Sequence, residues 1–167
     1  MLRSLLTRNF CSKAKTGFDK IKLIDCKSQS IHKNLALENI LFHIEPLTVP
    51  TVMMWRNDKT IVFGKHQNPY KEIHMNKIEE ENVALARRSS GGGCVYQDLK
   101  NTCFSFFIPI YDDKKPFDTK EENNKIILDA IKTFGIEGEV SGRNDLLVQG
   151  KKFSGSAYEL DLGGKNT

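Results

Sequence analysis

The chain has 167 residues, a formal net charge of +4 and 39% hydrophobic residues. This length suits one domain with a real hydrophobic core, and no apolar run is long enough to span a bilayer. Residues 1–17 hold four basic residues and no acid, and the other basic residues equal the 21 acids in number. Because the rest of the chain is neutral, its composition argues against a general nucleic-acid-binding surface.

Residues 1–17 have the composition of a mitochondrial presequence. The segment is basic, carries hydroxyl side chains and lacks acids, and its apolar residues fall near one face of a helix. It also lacks the continuous apolar stretch of a secretory signal. We therefore predict a location in the mitochondrial matrix and assign the fold to residues 18–167.

The first elements of the folded part are a strand and a helix. Residues 18–25 have the character of a strand, and apolar residues then recur at helical spacing. Ser28 or Ser30 is the expected cap of this helix, which should end before Pro46.

The next segment predicts a hairpin and a short helix. Two strand-like runs, 51–56 and 60–64, are separated by residues 57–59, which have turn character. Asn76, with Glu79 three residues later, resembles a capping box.

The second half of the chain predicts further hairpins and one longer helix. Residues 94–98 and 103–110 resemble two strands around a turn, and a helix over 119–134 should begin at Asp118 and end at Gly135. Residues 144–158 then form a predicted hairpin that turns at Gly150-Lys151. Strands paired locally, with two longer helices, indicate an α+β fold with mostly antiparallel sheet.

Cysteine and histidine spacing gives no sign of a metal centre. The four cysteines form no C-x-x-C pair, and the four histidines do not stand at ligand spacing with them or with each other. We expect reduced thiols and no structural zinc site.

The first segment with chemical character is RRSSGGG, which ends at Gly93. Three consecutive glycines cost conformational entropy on ordering, but they let backbone N–H groups approach a ligand closely. With Arg87 and Arg88 beside it, such an array suits a carboxylate or a phosphate. The same residues could instead be a flexible entry to a hairpin.

The second such segment is SGRNDLLVQGKKFSG, which ends at Gly155. Asn144 and Asp145 open a strand, and Lys151 and Lys152 lie across a tight turn from it. An amide–carboxylate pair that faces a lysine could hold Mg²⁺ and phosphate in one site. Taken alone, the segment could equally be a surface hairpin.

Three segments together resemble the signature blocks of lipoate–protein ligases and mitochondrial lipoyltransferases: TIVFGKHQNPYKE, RRSSGGGCVYQDLKNTCFSF and GRNDLLVQGKKFSGSAY. The blocks are long, ungapped and in order, and the resemblance covers roughly residues 30–158. Biotin protein ligases resemble the same plan more distantly. The resemblance implies a catalytic domain of the biotin/lipoate-ligase type.

The family resemblance implies a two-step reaction. Lipoate and ATP give lipoyl-AMP, and a lysine of a lipoyl carrier domain then takes the lipoyl group and releases AMP. The carriers implied are the E2 subunits of 2-oxoacid dehydrogenases and the H protein of the glycine cleavage system. ATP and Mg²⁺ are the implied cofactors, lipoate is the substrate, and neither nucleic acid nor a membrane is an expected partner.

The same resemblance assigns roles to individual residues. Lys152, before Phe-Ser-Gly, matches the essential lysine of the family. Asn144 and Asp145 should bind the nucleotide phosphate or its Mg²⁺, with Asp145 as the possible metal ligand. The residues expected to bind the acyl-adenylate are Arg88, Ser90, Gly91, Gly92, Gly93, Val95, Tyr96 and Asn101. Trp55 and the Phe-rich strand at 104–107 could line the lipoyl slot, although a core role is more common for such aromatics.

Two departures from the family pattern stand out. Lys100 occupies a turn position where the family usually has glycine, which would be unfavourable if that turn needs a positive φ. Family members also continue past the lysine hairpin, whereas this sequence stops at DLGGKNT. Residues 18–167 are therefore expected to be the N-terminal part of the catalytic domain, without its C-terminal strands and accessory domain.

Three other functions remain open from the sequence. A transferase could pass the acyl group through a thioester on Cys94 or Cys103, although no histidine base is evident. A lipoyltransferase could use preformed lipoyl-AMP only. A truncated chain could also bind lipoyl-AMP or a carrier domain without turnover.

Overall fold

The computed structural model describes residues 20–109 and 116–161, and the side chains of residues 116–119 are outside that description. The predicted presequence, residues 1–17, therefore lies outside the described residues. The chain divides into two compact units. The N-terminal unit contains the described residues up to 109 together with Asp161, and the C-terminal unit contains residues 116–160.

The N-terminal unit contains three helices and six strands within its described residues: β1 (Lys22–Asp25), α1 (Ile31–His43), β2 (Thr51–Trp55), β3 (Thr60–Phe63), α2 (Pro69–Glu72), α3 (Met75–Glu80), β4 (Ala84–Arg87), β5 (Val95–Gln97) and β6 (Cys103–Phe107). Its strands form two sheets, in the orders β1-β2-β6 and β4-β3-β5. The pairs β1–β2 and β3–β4 are parallel, and β2–β6 and β3–β5 are antiparallel.

One hydrophobic core joins the two sheets and α1. Strand β2 alternates buried and half-buried residues, as expected for a strand that packs one face on a core. The buried members of the core come from α1, β2, β3, β4 and β6: Ile31, Leu41, Met53, Trp55, Val62, Ala86 and Phe107.

The predicted hairpin between β2 and β3 is wrong. The two strands lie in different sheets, since β2 pairs with β1 and β6 while β3 pairs with β4 and β5. The physical reason is at Asn57, which was read as a turn residue but is fully buried. Its side chain accepts a hydrogen bond from Asn34 at 2.8 Å and donates one to Gln97 at 2.7 Å. The link between the strands is therefore anchored in the interior.

The predicted pairing around the turn that follows β5 is also wrong. A tight turn does connect β5 to β6, with the Asn101 amide donating to the Asp98 carbonyl at 3.0 Å. However, β5 pairs with β3 and β6 pairs with β2, so the chain changes sheet at this turn. Lys100 does not adopt a positive φ. Replacement of the usual glycine by lysine therefore introduces no backbone strain of that kind.

The boundaries of α1 agree with the prediction, whereas the start of α3 and the presence of strand β4 do not. Helix α1 ends before Pro46 as predicted, and Ser30 occupies its N-cap position without a side-chain capping hydrogen bond. Helix α3 has His74 at its N-cap, so Asn76 lies inside the helix and the predicted capping box is wrong. Strand β4 was not predicted as a separate element.

The C-terminal unit contains one helix and a three-stranded antiparallel sheet: α4 (Pro116–Lys132), β7 (Gly138–Ser141), β8 (Asp145–Val148) and β9 (Lys151–Gly155). Helix α4 begins at Pro116, so Asp118 lies inside its first turn and does not cap it. The helix ends at Lys132, and Gly135 lies in the turn that follows it, with a φ of 74°. Strand β7 was not predicted.

Helix α4 packs directly against β7. A Cβ atom placed on Gly138 would lie 2.9 Å from side-chain atoms of both Leu128 and Ile131. Because Gly138 has no side chain, the helix can approach the sheet this closely. Leu146, on β8, is the buried apolar residue of this sheet. The mixed composition of both units confirms the predicted α+β class with mostly antiparallel pairing.

Candidate functional site

The glycine loop, residues 88–93, connects β4 to the start of β5 and is held against the end of β3. The backbone amide of Arg88 donates to the Phe63 carbonyl at 3.1 Å, and that of Lys65 donates to the Ser90 carbonyl at 3.0 Å. A Cβ atom on Gly64 would come within 2.2 Å of the Gly92 carbonyl oxygen. The loop can therefore occupy this position only because residue 64 is a glycine.

Within the loop, only Gly92 adopts the left-handed region, with a φ of 97°. A Cβ on Gly91 or Gly93 would meet nothing within 4 Å. Glycine therefore serves different purposes at the three positions. At Gly92 it permits a positive φ that other residues rarely adopt, whereas at Gly91 and Gly93 the absence of a side chain leaves open space above the backbone.

Arg88 shapes the glycine loop through its carbonyl groups. Its Nε and Nη2 donate to the Gly91 carbonyl at 3.0 and 2.8 Å, Nη2 donates to Gly93 at 2.7 Å, and Nη1 donates to Val62 at 3.3 Å. These bonds use most of the five N–H groups of a guanidinium. Burial lowers the pKa of Arg88, while Cys94 and Glu38 act in the opposite direction; a guanidinium nevertheless stays charged.

Arg87 makes the same kind of contact with the segment that follows β3. Its Nη1 donates to the carbonyls of Gly64, Lys65 and Gln67 at 3.0, 3.2 and 2.8 Å. Its guanidinium also lies 4.7 Å from the centre of the Phe63 ring. Both arginines therefore bind backbone oxygens: Arg88 binds carbonyls of the glycine loop, and Arg87 binds carbonyls of the segment that follows β3.

Strand β5 presents Val95 and Tyr96 beside the loop, with exposed fractions of 42% and 52%. It lies at the edge of its sheet, where β3 is its one neighbour among the described strands. One side of its backbone is therefore unpaired with any described strand. Asn101 lies in the following turn, where its Oδ1 accepts from the Asp98 amide at 3.3 Å, so its side chain supports the turn.

The lysine hairpin, residues 145–155, belongs to the C-terminal unit. The predicted β8–β9 hairpin is confirmed, but its turn is at Gln149-Gly150, one residue earlier than predicted. Both turn residues have positive φ, 51° and 72°, as a two-residue hairpin turn of the primed type requires. Lys152 lies opposite Leu147 and Lys151 opposite Val148, so the two lysines face opposite sides of the sheet.

Lys152 forms an ion pair with Asp145 across this hairpin. The Lys152 Nζ lies 2.8 Å from Asp145 Oδ1, and the two side chains are 57% and 39% exposed. A bulge between Leu146 and Leu147 in the pairing with β9 brings Gly155, and not Ser154, opposite Asp145. A Cβ on Gly155 would lie 3.0 Å from Lys152 Cε and 3.1 Å from its Nζ. The bulge and the glycine together make room for the lysine to reach the carboxylate.

The turn before β8 is held from two directions. The Asn144 carbonyl accepts from the Ser156 amide at 2.9 Å and from the Ser156 hydroxyl at 3.1 Å. Lys120, on α4, donates to the Arg143 carbonyl and to Asn144 Oδ1, the latter at 3.4 Å. Neither Lys120 nor Gly64 was singled out from the sequence. Lys120 lies 23 residues before Arg143 along the chain, and Gly64 lies within TIVFGKHQNPYKE, where no role was predicted for it.

The comparison with known families decides what kind of domain this is. The model of the lipoyl protein ligase A/B catalytic domain matches residues 30–164. The chain belongs to this family. It is 46% identical over 143 residues to lipoate-protein ligase A of Bdellovibrio bacteriovorus. The aligned residues cover 83% of this chain and 41% of that relative. The chain thus spans about two fifths of the length of that relative.

Solved structures of lipoate ligases share the fold. P. falciparum LipL1 in complex with lipoate is 36% identical, with a TM-score of 0.76 over 84% of this chain and 44% of that chain. A lipoate-protein ligase A bound with ATP is 21% identical, with a TM-score of 0.76 over 83% and 61%. A bipartite lipoate protein ligase from Thermoplasma acidophilum, studied with its E2 lipoyl domain, is 22% identical, with a TM-score of 0.76 over 84% and 56%. The last two show the fold alone.

In this member of the lipoyl protein ligase A/B family, the predicted adenylate-binding residues fall on two separate elements. Those from Arg88 to Asn101 lie on the glycine loop, β5 and the turn after it, in the N-terminal unit. Asp145 and Lys152 lie on the lysine hairpin and Asn144 lies in the turn just before it, all in the C-terminal unit, and the ion pair joins Asp145 to Lys152. All of these residues fall within the matched segment.

The described residues do not form a ready-made metal site. No group of three or more His, Cys, Asp and Glu side chains comes together among residues 20–109 and 116–161. The Asp145 carboxylate, the predicted Mg²⁺ ligand, is already paired with Lys152, and the Asn144 side-chain oxygen accepts from Lys120. Mg²⁺ usually needs substrate phosphates to complete its coordination, so these two oxygens alone do not fit a resident ion.

The environments of the two candidate nucleophilic cysteines disfavour a thioester route. Burial, together with the smaller effect of the Glu38 carboxylate, raises the pKa of Cys103 to about 11. Burial and the Glu72 carboxylate also raise the pKa of Cys94, although Arg88 lowers it. The thiolate is the nucleophilic form of cysteine. Neither thiol is therefore activated in this structure.

The aromatic residues proposed for the lipoyl slot divide between core and surface. Trp55 is 7% exposed and Phe107 is 3% exposed, and both belong to the core cluster. The Trp55 indole N–H donates to the Ser105 hydroxyl at 3.0 Å. Phe104, in contrast, is 39% exposed. Trp55 thus has the core role that was the more common expectation.

In the described part of the chain, no helix combines the length and apolarity needed to cross a membrane.

Proposed function

We propose that this protein acts in protein lipoylation as a lipoate–protein ligase. In the first step, a carboxylate oxygen of lipoate attacks the α-phosphorus of ATP, and the bond to pyrophosphate breaks. In the second step, the amine of a carrier lysine attacks the carbonyl carbon of lipoyl-AMP, the bond to AMP breaks and the amine loses a proton.

The ion pair of Lys152 with Asp145 is the observation that carries this proposal. Lys152 matches the essential lysine of the family, and its ammonium is held in one place although more than half of the side chain is exposed. Negative charge develops on the phosphate in the first step and on the acyl oxygen in the second. A cation fixed in advance stabilises such charge without reorganising during the reaction.

The glycine loop is proposed to bind the acyl-adenylate through its backbone. Its Gly91 and Gly93 carbonyls accept hydrogen bonds from Arg88, and open space lies above the same two glycines. Backbone N–H groups arranged in this way bind anionic oxygens. The unpaired edge of β5 at Val95 and Tyr96 is proposed to contact the adenine.

ATP and Mg²⁺ are part of the proposal. Mg²⁺ is expected to arrive bound to the ATP phosphates, because the described residues offer no complete set of ligands for it. The proposed carriers are the E2 subunits of 2-oxoacid dehydrogenases and the glycine cleavage H protein. The proposed location is the mitochondrial matrix, which rests on the composition of residues 1–17. Imaging of a fluorescent protein fused to these residues tests the location.

The experiment that tests the function is pyrophosphate release by the full chain with ATP, Mg²⁺ and lipoate, followed by addition of a lipoyl carrier domain. Lipoate-dependent release, with later modification of the carrier lysine, supports a ligase. If pyrophosphate release is absent but synthetic lipoyl-AMP still modifies the carrier, the protein is a transferase. If neither step occurs and lipoyl-AMP still binds, the chain is a binding module; absence of binding would overturn the proposal.

A further inference from the structure

Lys120 lies outside the three signature blocks of the sequence, and it supports the turn that precedes the lysine hairpin. It lies on α4, and its Nζ donates to the Arg143 carbonyl and, at 3.4 Å, to Asn144 Oδ1. The same Nζ lies 5.3 Å from the centre of the Tyr158 ring. The Tyr158 hydroxyl is in turn 3.1 Å from the Ser156 hydroxyl, which donates to the Asn144 carbonyl. Helix α4 and the chain after β9 therefore hold the same turn.

A lysine has three donors and no acceptor. Its contact with Asn144 therefore fixes which end of the side-chain amide faces α4, because only Oδ1 can accept the bond. The Nδ2 group must then point the other way, and it donates to no protein atom among residues 20–109 and 116–161. Asn144 thus presents two unused N–H donors immediately before Asp145, the partner of Lys152.

We propose that Lys120 is a positioning residue that turns the Asn144 amide so that its N–H groups donate to an anionic oxygen of the acyl-adenylate. This inference rests on the proposed function and deepens it, because it assigns the Asn144 side-chain N–H groups a donor role toward phosphate. Lys120 itself touches no substrate. Its interaction with the Tyr158 ring is of the cation–π kind, which further restricts the ammonium.

The first test measures the affinity of the full chain for synthetic lipoyl-AMP, by calorimetry without added metal. Lys120→Met keeps the length of the side chain but removes its donors, and we expect about tenfold weaker binding, in keeping with loss of a well-placed donor to a charged group. Affinity for lipoate, which has no phosphate, should stay unchanged. Lys120→Arg restores donors and should bind within about threefold of the wild type. Lys125→Met, an exposed lysine on the same helix, is the matched control.

The second test asks whether Lys120 acts through Asn144. In an Asn144→Ala background, Lys120→Met should weaken lipoyl-AMP binding no further, because coupled residues give non-additive effects. Asn144→Asp keeps an acceptor for Lys120 but replaces the two donors with a carboxylate oxygen, and it should also weaken metal-free binding. Thermal unfolding monitored by circular dichroism checks that each variant is folded. If Lys120→Met does not fold, the binding affinities of the two Asn144 variants test the proposal.

The outcomes separate this inference from the proposed function. Normal binding by Lys120→Met, equal loss of lipoate and lipoyl-AMP affinity, additive effects, or normal metal-free binding by Asn144→Asp would each overturn the role given to Lys120, while the wild type still binds lipoyl-AMP. A wild-type chain that does not bind lipoyl-AMP would overturn the proposed function and this inference together.

Discussion

The glycine loop and the lysine hairpin present different kinds of group to a ligand. At the loop, Arg88 binds loop carbonyls, and the neighbouring Arg87 binds carbonyls of the segment after β3. In the hairpin, Lys152 and Asp145 keep exposed charges in a defined pair. The loop therefore depends on the shape of its backbone, whereas the hairpin depends on the placement of charge. Substitutions in the two regions should fail for different reasons, and that difference can be measured.

The largest effect is expected from Lys152→Ala. Removal of a cation that stabilises developing charge should lower lipoyl-AMP formation by about 10²–10³-fold. Stability should change by less than about 0.5 kcal/mol, because the lost ion pair is largely exposed. Steady-state pyrophosphate release and chemical denaturation measure the two quantities. Lys151→Ala, on the opposite face of the same strand, is the control and should keep its activity. Normal turnover by Lys152→Ala would refute the mechanism.

The next largest effect should come from Gly64→Ala, which changes shape and no charge. The added methyl group would meet the Gly92 carbonyl oxygen at 2.2 Å, so the glycine loop must move. We expect a loss of about 1–3 kcal/mol in the free energy of unfolding, as for other overpacked sites, with weaker lipoyl-AMP binding. Gly91→Ala is the matched control for stability alone, since its Cβ would meet no protein atom within 4 Å. Equal losses of unfolding free energy in the two variants, measured by chemical denaturation, would argue against the close approach of the loop to Gly64.

The same two regions show what the sequence could predict. The lysine hairpin was predictable because its strands are adjacent in the chain and its turn contains glycine, and only the turn position was wrong by one residue. The glycine run was recognised by composition. The close contact of Gly64 with this loop was not predicted. It depends on the parallel pairing of β3 and β4, and two short helices separate these strands along the chain.

The main error of the sequence-based prediction was its choice of which strands pair with each other, and Asn57 shows the reason for it. A polar residue between two strand-like runs predicts a turn at the surface, yet Asn57 is fully buried and bonded to Asn34 and Gln97. Local patterns contain no information about such distant partners. Lys120 is a similar case, because its place on a helix face gave no sign that it reaches the turn at Asn144.

A smaller effect is expected within the hairpin from Gly155→Ala. The new Cβ would lie 3.0–3.1 Å from the end of the Lys152 side chain, which is flexible enough to move aside. Displacement of the ammonium from Asp145 should slow lipoyl-AMP formation by up to about tenfold, since catalysis is sensitive to small errors in position, with little change in stability. Ser154→Ala, the neighbouring substitution, is the control for strand β9. Unchanged kinetics in Gly155→Ala would mean that the observed ion pair does not set the working position of Lys152.

The smallest effect should come from the cysteines, where both regions are left intact. With a pKa of about 11, Cys103 carries only about 10⁻⁴ of its population as thiolate at pH 7, and the pKa of Cys94 is also raised. A thioester route would require one of these thiols as a thiolate. Because neither thiol is activated, Cys94→Ser and Cys103→Ala should each transfer lipoate at a rate within about twofold of the wild type.

Transfer to the carrier domain is followed by intact-protein mass spectrometry, which would also reveal an acylated enzyme. A lipoyl adduct on the wild-type enzyme that disappears in one cysteine variant, with transfer lost in parallel, would replace direct aminolysis of the adenylate by a covalent mechanism. Because that route would make the placement of Lys152 secondary, this comparison tests whether the charge of the hairpin or a nucleophile beside the glycine loop controls acyl transfer.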